Sequence, residues 1–426
     1  MNKMNQLLSE QPLKKRSFFY IGGLAMIFLL ALSSIFSPIR ALSYFNQLWA
    51  ICIISWFVFT LLEKPYYLLI PSRHRLAIFV YLTYTIGLAY MAGNGSIGNR
   101  FFELSQLPLF YMAYEKNKLS GRNKDNLLII KLIAPFVLIT SFITIMAYSI
   151  NPYVSRSITS GGEGVEYLKQ GIGGYEFIYF LVILVPILLF VLFNKNRSIS
   201  KKYKFLGIGA TILFGVNIVL SNYSTAFFLL ILGIFMRLFF NRIKYSNIFF
   251  YGLLLLLITI SFQPLLSFIL DLIVDILGNS NNVSRVLEVK DLLLKGDTGI
   301  SIEARNDVFM ESFNLFLQNP IFGIVTDPIN HNAYGEIIGF GQHSQVLDTF
   351  ALYGLLIGLL QFYVYLNPLV ARLKYAKGLI SGFTLTVIII FLIIITINNA
   401  TPSLGFAVFF IYPSLYDWYM EKNLKN

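Results

Sequence analysis

The chain has 426 residues, of which 56% are hydrophobic and only 13% are charged. An average soluble domain is about 45–50% apolar and about 25% charged, so this composition cannot cover the surface of a soluble globule. An aromatic content of 16% excludes a disordered chain, and the single cysteine, Cys52, excludes a disulfide-stapled or Cys-ligated metal scaffold. The net charge of +12 indicates either a nucleic-acid partner or basic residues gathered on one side of a membrane.

Twelve stretches come close to the roughly 20 apolar residues that cross a bilayer as a helix. The first is longer than a signal-peptide core and no cleavage site follows it, so we expect it to remain as a span. The fourth contains Arg100, Glu103 and Pro108, and is predicted to be short or shielded inside the bundle. The stretches lie near 17–36, 42–62, 76–92, 100–114, 127–150, 175–193, 204–221, 223–240, 246–270, 346–366, 378–398 and 402–419.

The basic residues alternate with these stretches as the positive-inside rule requires. With the N-terminus inside, the cytoplasmic segments hold 24 of the 33 basic residues, and the outer segments hold eight. We therefore predict an all-α, polytopic membrane protein, a single membrane domain over 1–426, with both termini cytoplasmic and no nucleic-acid partner. His74, between two arginines at a cytoplasmic helix end, is predicted to anchor that end at the interface.

Two of the outer segments are long. The first, 151–174, is rich in Gly and Ser and contains Arg156. The second, 271–345, lies between the ninth and tenth stretches, and long loops of this kind are commonly functional. It contains ten acidic and four basic residues, so an anionic ligand would need a few specific cations. Arg285 and Arg305 are the better candidates, because arginine stays charged and binds phosphate through two N–H groups.

The long loop also contains two of the three histidines, His331 and His343. His343 lies just before the tenth stretch and, with an unperturbed pKa of about 6.5, is able to accept a proton at neutral pH. Its alternative role is to cap a helix or to lie among the lipid headgroups. Asp348 follows it by a little more than one helical turn, in apolar surroundings where an ionisable group is expensive. Asp348 either orients the imidazole, serves as a base, or caps the helix start.

Residues 301–320 have the pattern of an amphipathic helix. Phe309, Phe313 and Phe316 recur on one of its faces, and Arg305 lies near its start. Such a helix either lies on the outer leaflet or packs over the bundle. Arg305 is placed to bind phosphate, and the alternative is a local ion pair with a neighbouring acidic residue.

These motifs together resemble the O-antigen polymerase and O-antigen ligase superfamily. The resemblance covers the twelve-span layout and, in detail, residues 301–358. The matching residues are Arg305, then Asn319-Pro320-Ile321-Phe322-Gly323, then His343-Ser344 followed by Leu347, Asp348, Ala351, Tyr353, Gly354 and Gly358.

The resemblance implies a metal-independent glycosyltransferase without a cofactor, on the outer face of the bacterial plasma membrane. Its partners would be an undecaprenyl-diphosphate-linked oligosaccharide, the lipid bilayer and the separate chain-length regulator common to such systems. His343 matches the loop histidine that serves as base or positions the acceptor, and Arg305 matches the arginine expected near the diphosphate. The full set of candidate site residues is then His343 and Asp348 for catalysis, with Arg305, Arg285, Ser344, His331 and Arg156 for substrate binding.

One departure from the family concerns the turn that enters the eighth stretch. Family members often carry an arginine there, whereas residues 220–226 contain none. Arg285 or Arg156 would have to replace it. The product could be O-antigen, capsule or exopolysaccharide, and two other classes remain open: a ligase that transfers finished glycan to another acceptor, and a polysaccharide flippase or other transporter.

Overall fold

The computed structural model describes residues 17–91, 97–158, 163–193, 200–239, 270–275, 300–324, 344–376 and 379–423, with a few short pieces between 283 and 338. This part of the chain is helical. The only strands among these residues form a two-residue antiparallel ladder, Asn330–His331 with Ile337–Ile338. The predicted helical class is therefore confirmed for the described residues.

The long helices are numbered here in chain order. They are α1 Phe18–Ile35, α2 Phe45–Glu63, α3 Arg73–Met91, α4 Ile97–Leu119, α5 Asn123–Tyr148, α6 Tyr175–Leu192, α7 Lys201–Leu220, α8 Ser224–Phe239, α9 Ile300–Gln318, α10 Gln345–Tyr375 and α11 Leu379–Ile397, followed by α12, which joins Pro402–Gly405, a π-helical segment Phe406–Ile411 and Tyr412–Asn423. Shorter helices occupy Ser37–Arg40, Pro65–Leu69, Val154–Ser157 and Glu163–Lys169.

Six of the described helices are long and apolar enough to cross a membrane, namely α1, α2, α5, α6, α7 and α10. Shorter apolar helices lie at Ser224–Arg237 and Ser381–Ile397. Eleven of the twelve predicted stretches coincide with helices, and the remaining one, 246–270, lies almost entirely outside the described residues.

Helix α6 lies at the centre of the bundle, where every residue from Phe177 to Ile187 is buried. A helix that is apolar on all sides is the kind that other helices surround. By contrast, α2 and α7 present large apolar side chains on the outside, such as Ile51, Phe205 and Ile212. An exposed apolar surface of this extent is typical of a protein in contact with lipid.

The fourth predicted stretch is shielded inside the bundle, as expected. Helix α4 is 23 residues long, and its residues from Leu107 to Asn117 are largely buried. Pro108 lies inside this helix without ending it.

Helix α10 is broken at Gly354, which has φ 74° and ψ −175°. This conformation favours glycine, because a Cβ atom clashes with the backbone at positive φ. The tenth predicted stretch, 346–366, lies within this helix, and the break falls inside it. The break leaves a short piece, 345–353, and a longer one, 355–375, of which the second alone is about 30 Å long.

Candidate active site

The turn after α9 is hydrogen bonded to the break in α10. The backbone N–H of Leu355 donates to the carbonyl of Pro320 at 2.8 Å, and the N–H of Ile324 donates to the carbonyl of Ala351 at 3.0 Å. A broken helix leaves backbone groups without their usual partners, and in an apolar environment each such group is costly. The turn at 319–323 supplies partners for groups at the break, so the two segments form one unit.

Both segments need glycine at their closest approach. Gly323 has φ 69°, and a Cβ atom there would lie 2.2 Å from the carbonyl carbon of Leu352. A Cβ atom on Gly354 would lie 2.1 Å from the carbonyl oxygen of Ile321. Since these neighbours are backbone atoms, no side-chain movement relieves the overlap. The glycines of the Asn319–Gly323 and 343–358 motifs therefore meet in space.

A buried hydrogen bond joins α9 to the first turn of α10. The Ser312 hydroxyl donates to Oδ1 of Asp348 at 3.0 Å, and the two residues are 1% and 7% exposed. Asp348 also lies in the first turn of α10, where the helix dipole favours a carboxylate. The segment that contains Arg305 and the segment that follows His343 are thus held side by side.

The buried face of α9 contains Ser312 and differs from the phenylalanine face that the sequence predicted. The aromatic spacing predicted that Phe309, Phe313 and Phe316 share one packed face, but Phe313 is 40% exposed. Phe316 packs on Phe350 of α10 at a ring-centroid distance of 5.5 Å. Helix α9 therefore packs over the bundle, and its buried face is centred on Ser312 because that hydroxyl bonds to Asp348.

The start of α10 is tied to the turn after α11. Ser344 is buried and caps α10, since its Oγ accepts the backbone N–H of Leu347 at 3.1 Å. The N–H of Gln345 donates to the carbonyl of Asn398 at 3.1 Å, and its side-chain Oε1 accepts the N–H of Ala400 at 3.2 Å. The predicted substrate-binding residue Ser344 thus has a structural role in capping a rigid helix start.

Arg156 reaches the turn between α7 and α8 that lacks an arginine of its own. Its Nη2 donates to the backbone carbonyl of Asn222 at 2.5 Å, and its guanidinium lies 5.5 Å from the ring centre of Tyr223. The Asn222 amide donates in return to the carbonyl of Pro152 at 3.1 Å. The cation expected at this turn is therefore supplied from the 151–174 segment.

Tyr223 fixes the same contact from the other side. Its hydroxyl donates to the carbonyl of Ser155 at 2.9 Å. The ring lies 5.5 Å from that of Tyr175, in an edge-to-face arrangement.

A series of contacts joins Arg156 to the start of α10. Arg156 lies over Tyr223, and Tyr223 packs on Tyr175 at the start of α6. Tyr175 is followed by Glu176, whose backbone carbonyl accepts a hydrogen bond from Ser403 at 2.9 Å. Ser403 follows the turn that bonds Gln345. We call this region the Arg156 end of the bundle, defined by Arg40, Arg156, Asn222, Glu176 and Gln345.

Sequence reasoning missed an ion pair at the Arg156 end. Arg40 Nη2 donates to Oε1 of Glu176 at 2.6 Å, and both side chains are about three-quarters buried, at 28% and 22% exposure. Glu176 opens α6, and its only signal was a carboxylate in the first turn of an apolar helix. Arg40 was counted among the outer basic residues, but nothing in the sequence indicated its partner.

Four candidate residues cannot be placed in the site by their side chains. His343 and Arg285 lie outside the described residues. Arg305 lies in α9 and His331 in the two-residue ladder, and only their backbone is described. Among the side chains that the structure does describe, no cluster of three or more His, Cys, Asp or Glu residues could hold a metal ion.

The opposite end of the bundle contains a buried network of charges. Glu63 pairs with Lys116 at 2.7 Å and with Arg122 at 3.2 Å. Further pairs join Arg75 to Glu115 at 3.1 Å and Lys118 to Asp417 at 2.8 Å. We call this region the Lys116 end. Basic residues that were predicted only to set orientation are therefore part of the packing between helices.

His74 is also part of this packing. It is 6% exposed, and its Nε2 lies 2.8 Å from the carbonyl oxygen of Val364 in α10. The prediction that His74 anchors a helix end at the membrane interface was wrong, because α3 and α10 pack closely enough to bury the imidazole.

Comparisons of the chain with protein-family models, with curated proteins and with solved structures return no match. The helical bundle and the two charged ends are therefore interpreted from this chain's own residues and contacts.

Proposed function

We propose that the protein polymerises undecaprenyl-diphosphate-linked oligosaccharide repeat units into a surface polysaccharide. The observation that carries the proposal is the unit formed by α9 and the broken start of α10. It joins the Asn319–Gly323 turn to the Gly354 break and Ser312 to Asp348. Those are the segments whose motifs resemble the O-antigen polymerase and ligase superfamily. A functional site is best held by rigid elements that support one another.

We further propose the twelve-span layout, with the Arg156 end on the outer face of the bacterial plasma membrane and both termini in the cytoplasm. The distribution of charge supports this orientation. The Lys116 end is built from the predicted cytoplasmic segments, which hold 24 of the 33 basic residues. The Arg156 end is built from the sparsely basic segments, so the 271–345 loop belongs to the same side.

In the proposed reaction, the lipid tail of the donor lies in the bilayer and its diphosphate lies at the outer interface. Arg305 and Arg156 bind the diphosphate, with Arg285 as a further cation. Arg156 is a candidate for this role because its planar guanidinium stays charged, and its contact with the Asn222 carbonyl fixes its position. Charge that develops on the leaving diphosphate is stabilised by these fixed cations.

In the chemical step, a new glycosidic bond forms as the bond between the donor sugar and the diphosphate breaks. The acceptor sugar hydroxyl attacks the anomeric carbon of the donor while His343 takes its proton. The bond from that carbon to the diphosphate oxygen breaks, and undecaprenyl diphosphate leaves with the electron pair. Asp348 supports the helix that starts just after His343, and its bond to Ser312 makes it a positioning residue in this scheme.

A ligase remains the second candidate. It would use the same donor and the same leaving group, and differ only in the acceptor. A flippase or other transporter, which catalyses no glycosyl transfer, is the third candidate. The long 271–345 segment with its motif residues favours an enzyme over a transporter, because alternating access does not need an outer loop of that length.

The test is a deletion strain complemented with the wild-type gene or with His343→Ala. We expect single lipid-linked repeat units to accumulate on the outer leaflet in the deletion strain and in the His343→Ala strain. Repeat units confined to the inner leaflet would identify a flippase. Full-length glycan that stays on its lipid carrier would identify a ligase. Normal polymer made by His343→Ala, at equal protein level, would remove the proposed base.

A further inference from the structure

An acceptor atom without a partner lies at the start of α6. Glu176 binds Arg40 through Oε1, whereas its Oε2 is buried and has no hydrogen-bond partner in the described part of the chain. A buried carboxylate oxygen without a donor is costly, more so than the neutral case of about 1–3 kcal/mol. The position therefore suits a ligand that supplies an O–H or N–H group.

A donor without a partner lies at the beginning of the adjacent turn. Asn398 is 7% exposed, and its Nδ2 is buried with no hydrogen-bond partner among the described residues. Its backbone carbonyl is already occupied by the N–H of Gln345. The amide side chain is thus fixed in place with one donor group unused.

One short segment, 398–403, contains Asn398 and contacts Glu176. Asn398 is its first residue, and Ser403, its last, donates to the Glu176 carbonyl at 2.9 Å. Between them, the N–H of Ala400 binds the side chain of Gln345, which adjoins Ser344 at the start of α10. The segment therefore lies between α6 and the start of α10.

We propose that Glu176 and Asn398 bind hydroxyl groups of the acceptor sugar. A hydroxyl both donates and accepts, so sugar hydroxyls are able to pair with the oxygen and with the amide. The negative charge of Glu176 disfavours the diphosphate of the donor, whereas a neutral sugar is tolerated. The acceptor is also the sugar whose hydroxyl must reach the base that precedes Ser344. This inference rests on the proposed glycosyl transfer and names its acceptor subsite.

The test uses purified full-length protein in nanodiscs. The donor is the lipid-linked repeat unit extracted from the deletion strain, and the acceptor is the same repeat unit released from its lipid. Elongation of the soluble acceptor is measured at saturating donor. Glu176→Gln and Asn398→Asp keep side-chain size but reverse the hydrogen-bonding character. We expect each to raise the acceptor KM by about 10-fold or more, with kcat little changed.

Two control variants separate binding from packing. Glu166→Gln makes the same carboxylate-to-amide change at an exposed position, and Asn399→Asp makes the same amide-to-carboxylate change one residue along from Asn398. Both should leave the acceptor KM within about twofold of wild type. If Glu166→Gln or Asn399→Asp raises the acceptor KM as much as the test variants do, the effect is not specific to the two buried atoms and the inference is overturned.

The outcomes also separate this inference from the proposed function. Elongation by wild type with unchanged acceptor KM in both test variants overturns the subsite alone. No elongation by wild type, with active donor, overturns the polymerase and the subsite with it. If either test variant is not recovered as a monodisperse protein, Asn398→Ser or Glu176→Asp takes its place with the same expected rise in KM.

Discussion

Gly323 and Gly354 lie on two chain segments that cross with their backbones in contact, 31 positions apart in the sequence. Each would place a Cβ atom less than 2.5 Å from backbone atoms of the other segment. Each also has a positive φ, of 69° and 74°. The contact explains why short motifs far apart in the sequence belong to one structural unit.

Replacing either glycine by alanine should separate these segments. Positive φ alone costs a non-glycine residue about 1–2 kcal/mol, and the backbone overlap adds to it. We expect Gly323→Ala and Gly354→Ala each to lower the melting temperature of the purified protein and to abolish polymer formation. Gly215→Ala is the matched control, because no atom lies within 4 Å of a Cβ there and alanine favours a helix. If all three variants melt at the same temperature, the segments that contain Gly323 and Gly354 do not pack closely against each other.

Removing the Ser312 hydroxyl should weaken the join between α9 and α10 without removing either helix. Ser312→Ala takes one donor from the buried Asp348 carboxylate, and a hydrogen bond to a charged group contributes about 1.5–3 kcal/mol. We expect lower thermal stability and less polymer at equal protein level. Asn314→Ala, which changes an exposed residue on the same helix, should alter neither. An unchanged Ser312→Ala variant would show that Asp348 does not depend on this hydroxyl.

The helices were largely predictable because a membrane span needs a long apolar run, and such runs are visible at any position. Their ends were placed within a few residues at α1, α6 and α11. The break at Gly354 was not predictable in this way. Its cause is a contact with residues 320–324, which a window moved along the sequence does not see.

The candidate site was predictable only in part. The arginine missing from the 220–226 turn was noted, and Arg156 was one of two proposed replacements; the structure brings Arg156 to Asn222. Glu176 was not predicted, and the sequence at 398–402 indicated a polar cavity and ordinary turn chemistry equally, because the hydrogen-bond needs of a buried side chain depend on neighbours from other helices. The same holds for Ser312, which is buried whereas the neighbouring Phe313 is exposed.

Arg156 should matter for polymer formation more than for folding. Arg156→Lys keeps the positive charge but loses the planar group that binds phosphate through two N–H groups. We expect strongly reduced polymer and a melting temperature close to wild type. Lys169→Ala is the matched control, since this lysine lies in the same segment and is 56% exposed in a local pair with Glu166. Normal polymer in Arg156→Lys would limit the role of Arg156 to holding the Asn222 turn.

The buried and exposed ion pairs of the chain should respond very differently to loss of one partner. Glu63→Gln leaves Lys116 and Arg122, which are 3% and 11% exposed, without their shared carboxylate. Breaking a buried pair in this way typically costs about 3–5 kcal/mol, because the remaining charge stays buried and uncompensated. We expect a clear loss of thermal stability, and poor recovery of the purified protein.

Glu166→Gln provides the comparison, since the pair of Glu166 with Lys169 is exposed and such pairs contribute about 0–1 kcal/mol. Adding Lys116→Met to Glu63→Gln should recover part of the lost stability, because it removes one of the stranded charges and keeps the apolar stem. The test compares the melting temperatures of wild type, Glu63→Gln, Glu166→Gln and the double variant, measured side by side in one detergent. If Glu63→Gln and Glu166→Gln melt together, the Lys116 end is solvated and its charges only set the orientation of the protein.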